Sequence, residues 1–148
     1  MNIEHIMNKD LIKKDINSSV DEISKSMKEN DIGIMLITED NDIIGILTDR
    51  DIVTKIIANK DKKIEGYITR NLITIDKSKN CLDALNLMKK HKIKRVLVTD
   101  NNKIIGIISL SDILKYIDSH LLKEAMLEIW AINKNTDLYI TEVDDFKL

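Results

Sequence analysis

Residues 6–53 lie over residues 67–114 at a constant offset of 61 positions, without a gap. Leu11/Leu72, Asp15/Asp76, Met27/Met88, Lys28/Lys89, Thr38/Thr99, Asn41/Asn102, Gly45/Gly106 and Asp51/Asp112 are identical pairs. So are Ile12/Ile73, Ile32/Ile93, Ile44/Ile105, Ile46/Ile107 and Ile52/Ile113. Such a repeat means two copies of one supersecondary unit, each too small to bury its own apolar face. The expectation is a pseudo-twofold pair with a cleft where the copies meet, and function is sought in that cleft.

Each copy reads in the same order. An extended lead-in comes first, at 10–15 and 71–76. A helix follows, with Val20, Ile23 and Met27 at i, i+3 and i+7, and Ala84, Leu85 and Met88 as the matching stripe. Two apolar, β-branched runs come next, 34–38 with 43–48 and 95–99 with 104–109. Each pair is joined by a polar turn, Glu39-Asp40-Asn41-Asp42 or Asp100-Asn101-Asn102-Lys103, which is a hairpin signal. A second helix closes each copy, carrying Ile52, Val53, Ile56 and Ile57, then Ile113, Leu114 and Ile117. The fold class is therefore α+β: two β-α-β-β-α repeats, 1–61 and 62–118, with a C-terminal helix and tail over 119–148.

Residues 59–66 form a charged connector without periodicity. Residues 118–132 extend the last helix, with a broad apolar face of Leu121, Leu122, Ala125, Met126, Ile129 and Trp130. That face suggests a partner chain; the other possibility is that it packs back on its own module. With Ile52, Ile56, Ile113 and Ile117 it leads to the expectation of a homodimer. The stretch 138–143 could form an edge strand before Asp144-Asp145.

Composition narrows the function classes. The 23 basic residues against 25 acidic ones give a net charge of −2. Such a balance exerts no general pull toward nucleic acid or anionic membrane, and nucleic-acid binding is further disfavoured by 3% aromatics. No apolar run approaches ~20 residues, and the first fourteen are too polar for a signal-peptide core. The lone Cys81 aligns with Val20, so a buried apolar role is expected of it. A cytoplasmic protein with no membrane contact is the resulting expectation. Neither a metal-ligand set around His5, His91 and His120 nor an activated nucleophile can be named, so no enzyme is expected.

The chemistry-bearing signal is Gly45-Ile46-Leu47-Thr48-Asp49-Arg50-Asp51, repeated as Gly106-Ile107-Ile108-Ser109-Leu110-Ser111-Asp112. A hydroxyl ends the strand and a carboxylate follows three residues later, as a helix begins. A capping box explains this for one copy. Two copies at equivalent positions of a pseudo-symmetric cleft also suit ribose and phosphate. Free N–H groups at a helix start favour phosphate, and a carboxylate accepts two hydrogen bonds from a vicinal diol.

With these motifs, the chain resembles a tandem cystathionine-β-synthase (CBS) domain pair, or Bateman module, over about residues 3–118. The lead-ins at 6–10 and 67–71 and the two hairpins share in the resemblance. It implies a regulatory sensor for an adenosine ligand: AMP, ADP, ATP or S-adenosylmethionine. By that resemblance Asp51 and Asp112 take ribose hydroxyls, and Thr48 and Ser109 approach ribose or phosphate. Ser111 matches a serine of nucleotide-binding subunits of energy-sensing kinases. Backbone of a lead-in strand frames the adenine, which brings in Asn71 and Thr74. Lys94 and Arg95 match phosphate-neutralising positions, whereas their counterparts Gly33 and Ile34 are uncharged. The family pattern has Thr48/Asp51 facing Lys94/Arg95, and leaves Ser109/Asp112 with only Lys9 or Lys13 nearby. The family's usual proline at the second strand is absent, since Met35 and Val96 stand there. A second reading keeps the clefts empty and makes the chain a structural dimerisation adaptor; in both, a regulated protein is the implied partner.

Overall fold

The computed structural model describes residues 1–131. The edge strand expected at 138–143 lies outside the described residues. The described residues form two compact units, one of Leu11–Leu72 and the other of Met1–Asp10 with residues 73–131.

The first unit contains β1 (Lys13–Asp15), α1 (Val20–Asn30), β2 (Ile34–Glu39) and β3 (Asp42–Thr48). A helix then starts as α2 (Asp49–Asp51) and runs on as π turns over Ile52–Ile57. The second unit repeats this with β4 (Thr74–Asp76), α3 (Cys81–His91), β5 (Arg95–Asp100), β6 (Lys103–Ser109) and α4 (Leu110–Ile113). It adds α5 (Ser119–Ala131). In each sheet the lead-in strand pairs parallel with the next strand, and the hairpin is antiparallel, in the order β1-β2-β3 and β4-β5-β6. The architecture is the α+β repeat expected from the sequence.

Local chemistry explains these elements. The Ser19 side chain caps α1 by accepting from the Glu22 N–H, and Asn80 with Asp83 forms a capping box on α3. Both hairpins turn on two residues with positive φ, Asp40-Asn41 (50° and 69°) and Asn101-Asn102 (48° and 65°). That backbone matches strand twist, and Asn and Asp tolerate it better than most residues. Val20, Ile23 and Met27 bury against Met35, Ile37, Leu47, Ile52 and Ile56, while Ala84, Leu85 and Met88 do so against Val96, Val98, Ile108 and Ile113. Cys81 is buried in the latter core, and burial pushes its thiol pKa up, so it packs as a small apolar group.

The two identical glycines have a packing cause. Thr69 bridges to Ile46 through a pair of backbone hydrogen bonds (3.0 and 2.9 Å), and Asn8 bridges to Ile107 in the same way (2.8 and 3.0 Å). Residues 67–69 therefore cross over β3, and residues 6–8 over β6. A Cβ on Gly45 would stand 2.6 Å from the Thr69 carbonyl oxygen; one on Gly106 would stand 2.6 Å from the Met7 sulfur. The Gly45 obstacle includes backbone and cannot swing aside. Gly45→Ala should thus destabilise the fold by about 1–3 kcal/mol, the usual cost of overpacking. Gly66→Ala, where a Cβ meets nothing within 4 Å, is the control. Equal melting temperatures for the two variants would refute this account.

Two expectations about apolar surface need correction. The extension helix does pack back on its own unit: Ala125 and Ile129 are fully buried in the core, and Leu122, Met126 and Trp130 pack against it. Lys89 on α3 reaches Glu128 on α5 at 3.7 Å. Of the expected partner-facing stripe, Leu121 is exposed. Ile52, Ile56 and Ile113, counted with Ile117 as surplus from the sequence, are buried inside their own units, and Ile117 packs partly buried against its core. The next residues round the helix, Val53, Ile57 and Leu114, are the ones left at the surface. The charged connector, as expected without helical or strand periodicity, packs on its own unit: Ile64 is buried, Tyr67 donates to Asp61 (3.1 Å), and the Lys62 carbonyl accepts from Val20 N–H.

Candidate functional site

In each unit the end of the hairpin and the start of the following helix make one corner. In the Leu11–Leu72 unit, Thr48 is the last residue of β3 and pairs across the sheet with Ile34. Its hydroxyl accepts from Asp51 N–H (3.1 Å), and its own N–H donates to Asp51 Oδ2 (3.1 Å). Lys55, one turn on, holds Oδ1 at 2.9 Å. The Asp51 side chain is only 13% exposed. Burial alone would raise its pKa, but the hydrogen bonds from Lys55 and Thr48 outweigh burial and hold the carboxyl below its ordinary value. The group is an anion at neutral pH, already oriented by its neighbours.

The second unit repeats the corner with denser hydroxyl chemistry. Ser109 ends β6, and its N–H donates to Asp112 Oδ2 at 2.7 Å. The Ser109 hydroxyl donates to the same oxygen (2.7 Å), accepts from Asp112 N–H (3.2 Å), and lies 2.8 Å from the Ser111 hydroxyl. Arg95 pairs directly across the sheet with Ser109, and the Lys94 carbonyl accepts from Leu110 N–H at 2.8 Å. Directly opposed residues share a face of the sheet. Arg95 and the backbone of Lys94 are thus brought to the corner of the Ser109-Ser111-Asp112 cluster, which corrects the expectation that leaves this cluster with only Lys9 or Lys13 nearby. Thr48 and Asp51 belong to the other unit, where Gly33 and Ile34 take the places of the two cations. There the Asp49 carboxylate stands where a Gly33 side chain would begin, 3.1 Å from the Cβ position.

Among the remaining expected residues, Lys13 and Thr74 are exposed at equivalent first positions of β1 and β4, and Asn71 is exposed just before the second lead-in strand. His91 is the last residue of α3, as expected of a helix C-terminal histidine. Sequence reasoning missed Lys55 as the partner of Asp51. The i, i+4 spacing was the available signal. It also missed that the Lys94 ammonium lies over the Trp130 ring, 5.0 Å from its centroid.

A capping box by itself carries no ligand chemistry, since Asn80 and Asp83 build one on α3 with no counterpart in the motif. The distinction of the Thr48/Asp51 and Ser109/Asp112 corners is their recurrence at the strand end, with the carboxylate half-buried. Acid titration gives one check on Asp51. A depressed folded-state pKa stabilises the fold above the unfolded value, and that gain is lost as pH falls through the folded one. Asp51→Asn can still accept from Thr48 N–H but no longer titrates. Its melting temperature should therefore fall less than that of the unsubstituted protein between about pH 6 and pH 3. Parallel acid limbs for the two proteins would contradict the assignment.

This doubled unit is that of a CBS domain pair. The chain belongs to the CBS domain family, which matches it twice, over residues 3–58 and 61–119. The protein MJ1232 of Methanocaldococcus jannaschii is 38% identical over 102 residues, 68% of this chain and 34% of that protein. YlbB of Bacillus subtilis is 33% identical over 116 residues, 75% of this chain and 78% of YlbB. The chain therefore spans about a third of MJ1232 and over three quarters of YlbB. The CBS domain pair of protein MJ0100, in complex with 5′-methylthioadenosine and S-adenosyl-L-methionine, has a TM-score of 0.68 and 28% identity. That match covers 78% of this chain and 94% of that one. Among the described residues, no helix is long and apolar enough to cross a membrane.

Proposed function

We propose that this chain is a non-catalytic regulatory module that binds an adenosine ligand: AMP, ADP, ATP or S-adenosylmethionine. The carrying observation is the doubled hydroxyl–carboxylate corner, in which Asp51 and Asp112 are held by Thr48 and Ser109 in the same geometry. A carboxylate offers about four lone-pair sites. Capping and Lys55 use two of those on Asp51, which leaves acceptors for a ribose diol. Lys94 and Arg95, beside Ser109, supply positive charge for a phosphate or, by their backbone, a polar rim for an uncharged ligand. The complex of the related MJ0100 pair with 5′-methylthioadenosine and S-adenosyl-L-methionine supports the ligand class.

A panel of AMP, ADP, ATP, adenosine, S-adenosylmethionine and 5′-methylthioadenosine in thermal shift and calorimetry tests the reading. Saturation by any one of them raises the melting temperature by mass action. No binding across the panel at millimolar ligand would reject the sensor and favour the adaptor. The adaptor reading draws on Val53 and Ile57, 64% and 54% exposed, and Leu114, 45% exposed, which suit a second copy of this chain. Homodimerisation is proposed in either case. Light scattering should give twice 17.0 kDa at micromolar concentration, and a monomer mass would refute it.

A further inference from the structure

Lys94 is tied to two parts of its unit at once. Its carbonyl accepts from Leu110 N–H at 2.8 Å, which fixes its backbone to the Ser109–Asp112 corner. Its ammonium lies over the ring of Trp130, 5.0 Å from the centroid, inside the range of a cation–π contact, and the nitrogen is closed off from solvent. Trp130 sits near the C-terminal end of α5, one residue after the buried Ile129 and two after Glu128, which meets Lys89 of α3. The ring is thus mounted on a helix whose inner face is locked into the core.

We infer that Trp130 and a ligand phosphate compete for the Lys94 ammonium, so that α5 senses whether the bound adenosine ligand is phosphorylated. The inference rests on the proposed adenosine site and adds to it a selectivity residue and an output element. An ammonium shielded by an aromatic face cannot also donate fully to a phosphate. For a phosphate to take it, Lys94 must leave the ring, and the last turn of α5 loses a contact. A ligand without phosphate makes no such demand and leaves the pair intact. Trp130 therefore lowers affinity for AMP relative to adenosine, and AMP binding is transmitted to the end of α5.

The protein carries a single tryptophan, so its fluorescence reports on Trp130 alone. Titration of the full chain with AMP should change the emission, whereas adenosine, at saturation verified by calorimetry, should leave it nearly unchanged. Trp130→Leu should tighten AMP by about two- to tenfold and leave adenosine affinity unaltered. Trp130→Phe, which keeps an aromatic filler over the core, should fall between. Lys94→Met should abolish the AMP-dependent emission change while the protein still melts cooperatively. If AMP binds by calorimetry but emission is the same with both ligands, or Trp130→Leu and Trp130→Phe leave the AMP-to-adenosine ratio unchanged, the inference is overturned and the adenosine site stands. If calorimetry detects neither ligand, the adenosine site itself falls, and the inference with it.

Discussion

Asp51→Ala should weaken the adenosine ligand by about ten- to a hundredfold. The carboxylate accepts from a ribose diol in a half-buried setting, where losing hydrogen bonds to a charged group costs roughly 1.5–3 kcal/mol. The same substitution removes a capping box, and that loss alone destabilises a helix by about 0.5–2 kcal/mol. A reduced melting temperature could therefore be mistaken for a ligand effect. Asp83→Ala separates the two, because it deletes the equivalent N3 carboxylate of the α3 capping box (3.0 and 3.1 Å) at a position outside the repeated motif. The expected result is that both variants lose comparable stability and only Asp51→Ala loses affinity. Affinity equal to that of the unsubstituted protein in Asp51→Ala, measured where it remains folded, would remove Asp51 from the site.

The repeat made much of this fold legible. Apolar spacing located α1 and α3 and their buried faces, because Val20, Ile23 and Met27 and their counterparts had no other face to bury. The polar turns located both hairpins, since Asp40-Asn41 and Asn101-Asn102 are residue types that accept positive φ. The hydroxyl and carboxylate of each corner were also readable, as their three-residue spacing is that of a capping box.

Long-range packing was less legible. The lead-in segments bond to strands far from them in sequence, Asn8 to Ile107 and Thr69 to Ile46, and no local pattern encodes those bridges. The identity of Gly45 and Gly106 was their trace, but a glycine in a strand does not say which backbone approaches it. The α5 stripe had the same ambiguity. An amphipathic face records that something covers it, and here the cover is the chain's own α3, with Ala125 and Ile129 buried and Glu128 beside Lys89. Likewise the sequence marked Lys94 as a cation near a corner, and the stacking on Trp130, 36 residues on, became visible only in three dimensions.

Arg95→Ala should weaken AMP by about ten- to a hundredfold and adenosine by less than about threefold. Arg95 opens β5 directly opposite Ser109, half-buried, where the repeat's other copy has Ile34 opposite Thr48. Each charge-assisted hydrogen bond from a guanidinium to a phosphate is worth on the order of 1.5–3 kcal/mol where water is partly excluded. The nucleoside lacks that group and has nothing to lose. Arg95→Lys should recover only part of the affinity, since an ammonium cannot reproduce the two-pronged contact of the planar fork. Raising salt should erode the AMP preference in the unsubstituted protein and have little left to erode in Arg95→Ala, because screening acts on the charge that the substitution removes. An equal loss for AMP and adenosine would mean that Arg95 supports the corner structurally, and no loss for either would exclude it from phosphate recognition.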